Sequence, residues 1–180
     1  MYLDEDIKIA GNKPSKDITI NRALAETGGN ISKADINNAK KWGSQVAIKY
    51  IEDAKENSQS NLVSNHEMII QRRMLLSFTA TIGFEQLAKD DTLSGIAQKS
   101  FLDTIKKSDP ELYGTSGDTG AFSFYYLAFR RGGDTERRIG QTFAMLCSHD
   151  GDPIFQELGE ALYCWFLSIV KSSAQQFNMI

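Results

Sequence analysis

Apolar residues recur at spacings of three and four through most of this chain, the period of a helix with one face turned to a core. Ile36, Ala39, Trp42, Val46 and Tyr50 form the clearest early stripe. It follows Ser32-Lys-Ala-Asp35, a capping-box-like start in which Asp stands where Glu or Gln is usual, and it predicts a helix to about Asn57. The polar run Asn57-Ser-Gln-Ser-Asn61 interrupts the pattern. A second helix is predicted from about Leu62 to Lys89, with Met68, Leu75, Phe78 and Ile82 on one face and Ile69, Leu76 and Leu87 widening it, so that it is buried on more than one side. Leu93, Ile96, Phe101 and Ile105 mark a third, capped by Asp91 or Thr92 and running to about Lys107, after which Pro110 breaks the pattern.

The glycine-rich stretch Gly114-Thr-Ser-Gly-Asp-Thr-Gly120 reads as a loop. The segment Ala121-Phe-Ser-Phe-Tyr-Tyr-Leu-Ala-Phe129 has strand-like propensity, yet no other segment offers it a partner strand, which favours a short buried helix. Asp134 can cap a helix to about Ser148 with Ile139, Phe143 and Leu146 on its inner face. Asp150-Gly-Asp-Pro153 is a turn that sets Pro at the first position of a last helix, to about Gln176. Phe155, Leu158, Leu162, Trp165 and Ile169 form its main stripe. Tyr163, Phe166 and Val170 form a second one beside it, so this helix is either central or uses its second stripe for self-association, as in a homodimer.

Residues 1–16 have weak periodicity and read as a flexible N-terminal arm, and a short helix from Asp17 to Thr27 is stopped by Gly28-Gly29. No repeat has a fixed period. Short connections and the lack of strand-pairing signals predict an all-α fold, a compact bundle of six or seven helices forming a single domain over residues 17–180.

Composition agrees: the chain has 180 residues, 41% hydrophobic and 24% charged. A globular chain of this length buries about 70% of its unfolded surface, enough for a core without staples. The net charge of −3 and pI near 5.4 give no bulk attraction to nucleic acid or anionic membrane, so any such binding needs a local patch. The start MYLDEDIKIAG is acidic where a signal peptide is basic, which points to the cytoplasm. The apolar run from Ala161 to Val170 is about half of what spans a membrane. Cys147 and Cys164 have neither the number nor the spacing of a disulfide framework or zinc site, and read as buried free thiols.

Candidate chemistry is sparse. The two histidines, His66 and His149, belong to no Glu-x-x-His or His-Glu-x-x-His motif, so a histidine metal cluster is not expected. Ser148-His149-Asp150 has the letters of a catalytic triad, but adjacent residues on a helix point apart. The glycines at 114, 117 and 120 lack the Gly-Lys-Ser/Thr of a phosphate loop and carry Asp118 instead. No cofactor is implied.

The stretch FRRGGDTERRI, residues 129–139, stands out. If one helix ends at about Arg131 and the next begins at about Thr135, Arg130, Arg131, Arg137 and Arg138 gather at one end of the bundle. Arg130 and Arg131 complement the negative end of the first helix, whereas Arg137 and Arg138 lie where the next helix dipole opposes them. Four arginines against Asp134 and Glu136 leave a cluster of net +2, suited to phosphate or carboxylate. It reads either as an anion- or partner-binding site or as an internal network with Asp150 and Asp152. The expected function is a non-catalytic interaction or assembly protein whose partner is a second copy, an acidic protein or a phosphate-bearing ligand. Two alternatives stand beside it. One is an RNA- or single-strand-binding subunit that adds Tyr125 or Tyr126 for stacking. The other is an enzyme with a helical pocket using Glu67, Glu85 or Glu160.

Overall fold

The computed structural model describes residues 31–59, 66–115 and 119–180, and all its regular structure is helical. The predicted arm and the helix at 17–27 lie outside these residues. The compact unit is Lys33–Ile180. Its helices are α1 Lys33–Gln59, α2 His66–Leu87, α3 Asp91–Ser108, α4 Pro110–Thr115, α5 Thr119–Arg130, α6 Thr135–Leu146 and α7 Pro153–Gln176.

The all-α bundle follows from the stripes. Ile36, Ala39, Trp42, Val46 and Tyr50 are buried along α1. The helix α2 is buried all round from Met74 to Phe84 and touches every other helix of the unit, so it is the central element. Its buried hydroxyls do not disturb this: Thr79 donates to the Leu75 carbonyl at 2.7 Å and Thr81 to the Ser77 carbonyl at 3.1 Å, each within the helix. Trp42, Phe84 and Phe101 join α1, α2 and α3 through edge-on ring contacts at 4.8 and 5.8 Å. Hydroxyls close the α1–α3 seam, where Ser44 lies 2.9 Å from Ser100 and 3.1 Å from Thr104.

Three expectations change. The cap of α3 is Asp90, whose side chain accepts from the Thr92 amide at 2.7 Å. Pro110 opens a helix instead of only ending one: α4 begins on it, with the Asp109 carboxylate accepting from the Leu112 amide at 2.9 Å. Proline at the first helical position gives up an amide that has no helical partner, so a helix can start there at no cost. Gly114 belongs to α4 and Gly120 to α5, so the glycine stretch is mostly helix ends.

The two apolar stripes of α7 differ in burial. Tyr163, Phe166 and Val170, the stripe read as either central or self-associating, are buried. On the other stripe Leu162 is buried, Phe155, Leu158 and Ile169 are half-buried, and Trp165 is 42% exposed. Both stripes are apolar, and α1 and α2 cover the second of them. On its far side α7 packs tightly on α6 at Gly140, where any Cβ would run into the Gln156 backbone carbonyl.

Candidate functional site

The arginine stretch folds as a turn between α5 and α6. Gly132 and Gly133 have φ of +67° and +77°, a left-handed pair that side chains other than glycine's disfavour. Asp134 then caps α6, its carboxylate accepting from the Arg137 amide at 3.2 Å. Arg138 folds back over the turn and its guanidinium donates to the Gly132 carbonyl, which braces the two helices as neighbours. Arg130 lies 5.7 Å from the centre of the Tyr126 ring, and the Tyr126 hydroxyl donates to Glu85 at 3.2 Å.

Among the described residues none of the four guanidiniums pairs with a carboxylate. The internal network with the opposite loop does not form. Asp152 is taken up as the cap of α7, accepting from the Ile154 amide at 2.9 Å. Asp150 reaches the same region, but only as one wall of a groove of about 390 Å³ that Arg131 and Arg138 also line. Phe124, Leu127 and Met145 complete the apolar part of that groove, and they are 48%, 57% and 40% exposed. Two helical stripes build it: Phe124, Leu127, Ala128 and Arg131 from α5 and the turn, and Arg138, Gln141, Thr142 and Met145 from α6. The segment from Ala121 to Phe129 is therefore helical as expected but not wholly buried. Its inner side is Phe122, Tyr125, Tyr126 and Phe129 around Phe78, at ring distances of 5.2 to 6.5 Å.

A second groove, of about 540 Å³, runs between α1 and α7. Trp165 and Ile169 are its apolar lining, and Lys49, Glu52, Asp53 and Glu56 are its charged lining. Lys49 pairs with Glu52 at 2.9 Å. Asp53 is gripped by Arg72 in a two-point pair, with Arg72 Nη2 at 2.6 Å and Nε at 3.0 Å, and receives the Asn57 amide at 3.2 Å. The Arg72 guanidinium lies 6.0 Å from the centre of the Trp165 ring. The sequence reading did not single out this groove, although Ser168, Ser172 and Gln176 follow Trp165 on α7 at spacings of three and four.

The remaining candidates do not assemble. Among the described residues no three His, Cys, Asp or Glu side chains gather into a metal-binding group. His149 stacks flat on Phe155 at 3.7 Å, and His66 is exposed at the start of α2. None of Glu67, Glu85 and Glu160 lines either groove. No helix among the described residues is long and apolar enough to cross a membrane.

Cys147 is buried, and burial first, then the charge of Glu67, pushes its thiol up to about 12 from 9.0. Cys164 is also raised, chiefly by burial and secondly by Glu136. Both thiols are therefore protonated at neutral pH and poor nucleophiles. A thiol-labelling time course at pH 8 is expected to leave Cys147 unmodified until denaturant is added. Below about pH 9 the thiol is protonated in folded and unfolded chain alike, and as pH rises from there toward 12 the unfolded chain loses the proton first, so folding stability falls. Rapid labelling of Cys147 in the native protein would contradict this.

No protein-family model, curated protein or solved structure matches this chain.

Proposed function

We propose that this chain is a non-catalytic docking module, and that the α5–α6 groove is its surface for an acidic protein partner that inserts an apolar side chain. The observation that carries this is the meeting of three exposed apolar side chains, Phe124, Leu127 and Met145, with Arg131 and Arg138 in one groove where neither arginine has a carboxylate partner among the described residues. Aromatic residues, methionine and arginine are the types enriched where proteins dock. Burying this apolar surface gives affinity at about 25 cal/mol per Å², and the arginine fork selects carboxylates at the rim. Arg130 and Arg137 widen the positive field around it.

A protein partner is favoured over single-stranded nucleic acid. Tyr125 is fully buried, and the Tyr126 ring lies between Phe78 and Arg130, so neither ring is free to stack on a base. Only Phe124 is an exposed ring in the groove.

The test is a fluorescence-anisotropy titration with two labelled probes, an amphipathic peptide of glutamate and leucine and a single-stranded RNA of similar length. The wild-type chain is expected to bind the peptide, and Arg131→Glu and Leu127→Asp are each expected to weaken it about tenfold, or about 1.4 kcal/mol. Both positions are exposed, so the fold survives the changes. Preference for the RNA, or peptide binding that ignores both substitutions, defeats the proposal.

A further inference from the structure

The α1–α7 groove has the chemistry that the docking groove asks of its partner. It carries three carboxylates, Glu52, Asp53 and Glu56, and with Asp53 neutralised by Arg72, Glu52 and Glu56 against Lys49 leave a formal −1. It also carries a large exposed apolar side chain, Trp165. The docking groove carries Arg131 and Arg138 against Asp150, a formal +1, and exposes Phe124, Leu127 and Met145. No residue lines both grooves.

We infer that the partner is a second copy of this chain, with Trp165 of one copy seated between Phe124, Leu127 and Met145 of the next while Glu52 and Glu56 face Arg131 and Arg138. This names the occupant of the docking groove and so rests on the function proposed above. Trp165 is suited to be the anchor. Tryptophan and arginine are the residues on which interface energy concentrates. This indole is also held ready, because Arg72 lies against its ring and Asp53 fixes Arg72 at two points. A side chain positioned before contact loses little freedom on binding. Glu56 has no ion-pair partner among the described residues, and Glu52 can exchange exposed Lys49 for an arginine.

The contact is heterologous, since each copy gives a different surface to each neighbour. Such contacts repeat into a ring or an open chain of copies. The chain then assembles head to tail, and salt weakens the assembly because its charges sit at a wet rim.

Sedimentation velocity on the 180-residue chain tests this with two variants, one broken in each groove: Leu127→Asp with Arg131→Glu, and Glu52→Lys with Glu56→Lys. All four positions are exposed, and circular dichroism checks that both variants keep the wild-type helix content. The wild-type chain is expected to grow beyond a dimer as concentration rises and to shrink in high salt. Each variant alone is expected to stay monomeric. Mixed in equal amounts, the two are expected to form a species of two copies and no larger, because one retains its acidic groove and the other its basic one. A mixture that stays monomeric, or a variant that assembles alone, overturns the inference. If the wild-type chain is monomeric while the acidic peptide still binds through Arg131 and Leu127, self-assembly falls and the docking function stands. If the peptide also fails to bind, both fall.

Discussion

Trp42→Ala is expected to remove about 3–5 kcal/mol of folding stability, most of what a domain of this kind can spare. Trp42 is fully buried on α1, its ring meets Phe84 of α2 edge-on at 4.8 Å, and its indole N–H donates to the Val170 carbonyl of α7 at 3.0 Å. One side chain thus ties three helices, and alanine leaves a cavity at their junction with nothing nearby free to fill it. For a chain of this size the melting temperature falls roughly 2–4 °C per kcal/mol, so a drop of roughly 6–20 °C is expected by circular dichroism. Trp42→Phe separates the two contributions. It keeps much of the ring volume but loses the hydrogen bond, which alone is worth about 1 kcal/mol. A melting point within a degree or two of wild type for Trp42→Ala would mean that α1, α2 and α7 do not share a core at this residue.

The helices themselves were legible because helix formation leaves a local record. Stripes spaced by three and four, Asp134 in a capping position, Pro153 at the first position of α7, and Gly132-Gly133 between helices all act within a few residues, and the structure keeps each of them. The choice between two apolar faces was not legible. On α7 both stripes are apolar, and burial of Tyr163, Phe166 and Val170 depends on α1 and α2 arriving from far along the chain. On α5 the same ambiguity made Phe124 and Leu127 look like core, although their spacing with Arg131 places them on the outer face.

The candidate site divides in the same way. That four arginines flank one turn is visible in residues 129–139. Their different tasks are not: Arg138 braces the turn, Arg130 covers Tyr126, and Arg131 opens on the groove. The acidic groove was invisible because Glu52 and Glu56 lie more than a hundred residues from Trp165, and no local pattern links helices so distant. The pair of Asp53 and Arg72, which stabilises that groove, spans two helices and leaves no local mark either.

That pair carries the second large effect. Asp53→Ala is expected to lower stability by about 3–5 kcal/mol, because removing one member of a buried pair strands the other. Asp53 is only 8% exposed and takes two bonds from Arg72, whose side chain is 21% exposed. Without the carboxylate, Arg72 has a charge in a largely closed site and must turn toward water, away from the Trp165 ring. Replacing both members by apolar residues of similar size, Asp53→Leu with Arg72→Met, is expected to recover most of the loss, since the cost lies in the uncompensated charge more than in the missing attraction. Urea denaturation of the two single variants, Asp53→Leu and Arg72→Met, and of the double variant closes the cycle. A coupling energy of at least about 1 kcal/mol is expected, and simple additivity within about 0.5 kcal/mol would show that the two residues do not support one another. The Trp165 face provides a second reading of the same variants. If Arg72 holds the indole in place, fluorescence from a Trp42→Phe background, where Trp165 is the sole tryptophan, should shift on Asp53→Ala under conditions where the chain is still folded. An unshifted spectrum would mean that the exposed indole is held by α7 alone, and the argument that it is positioned in advance for a partner would lose its support.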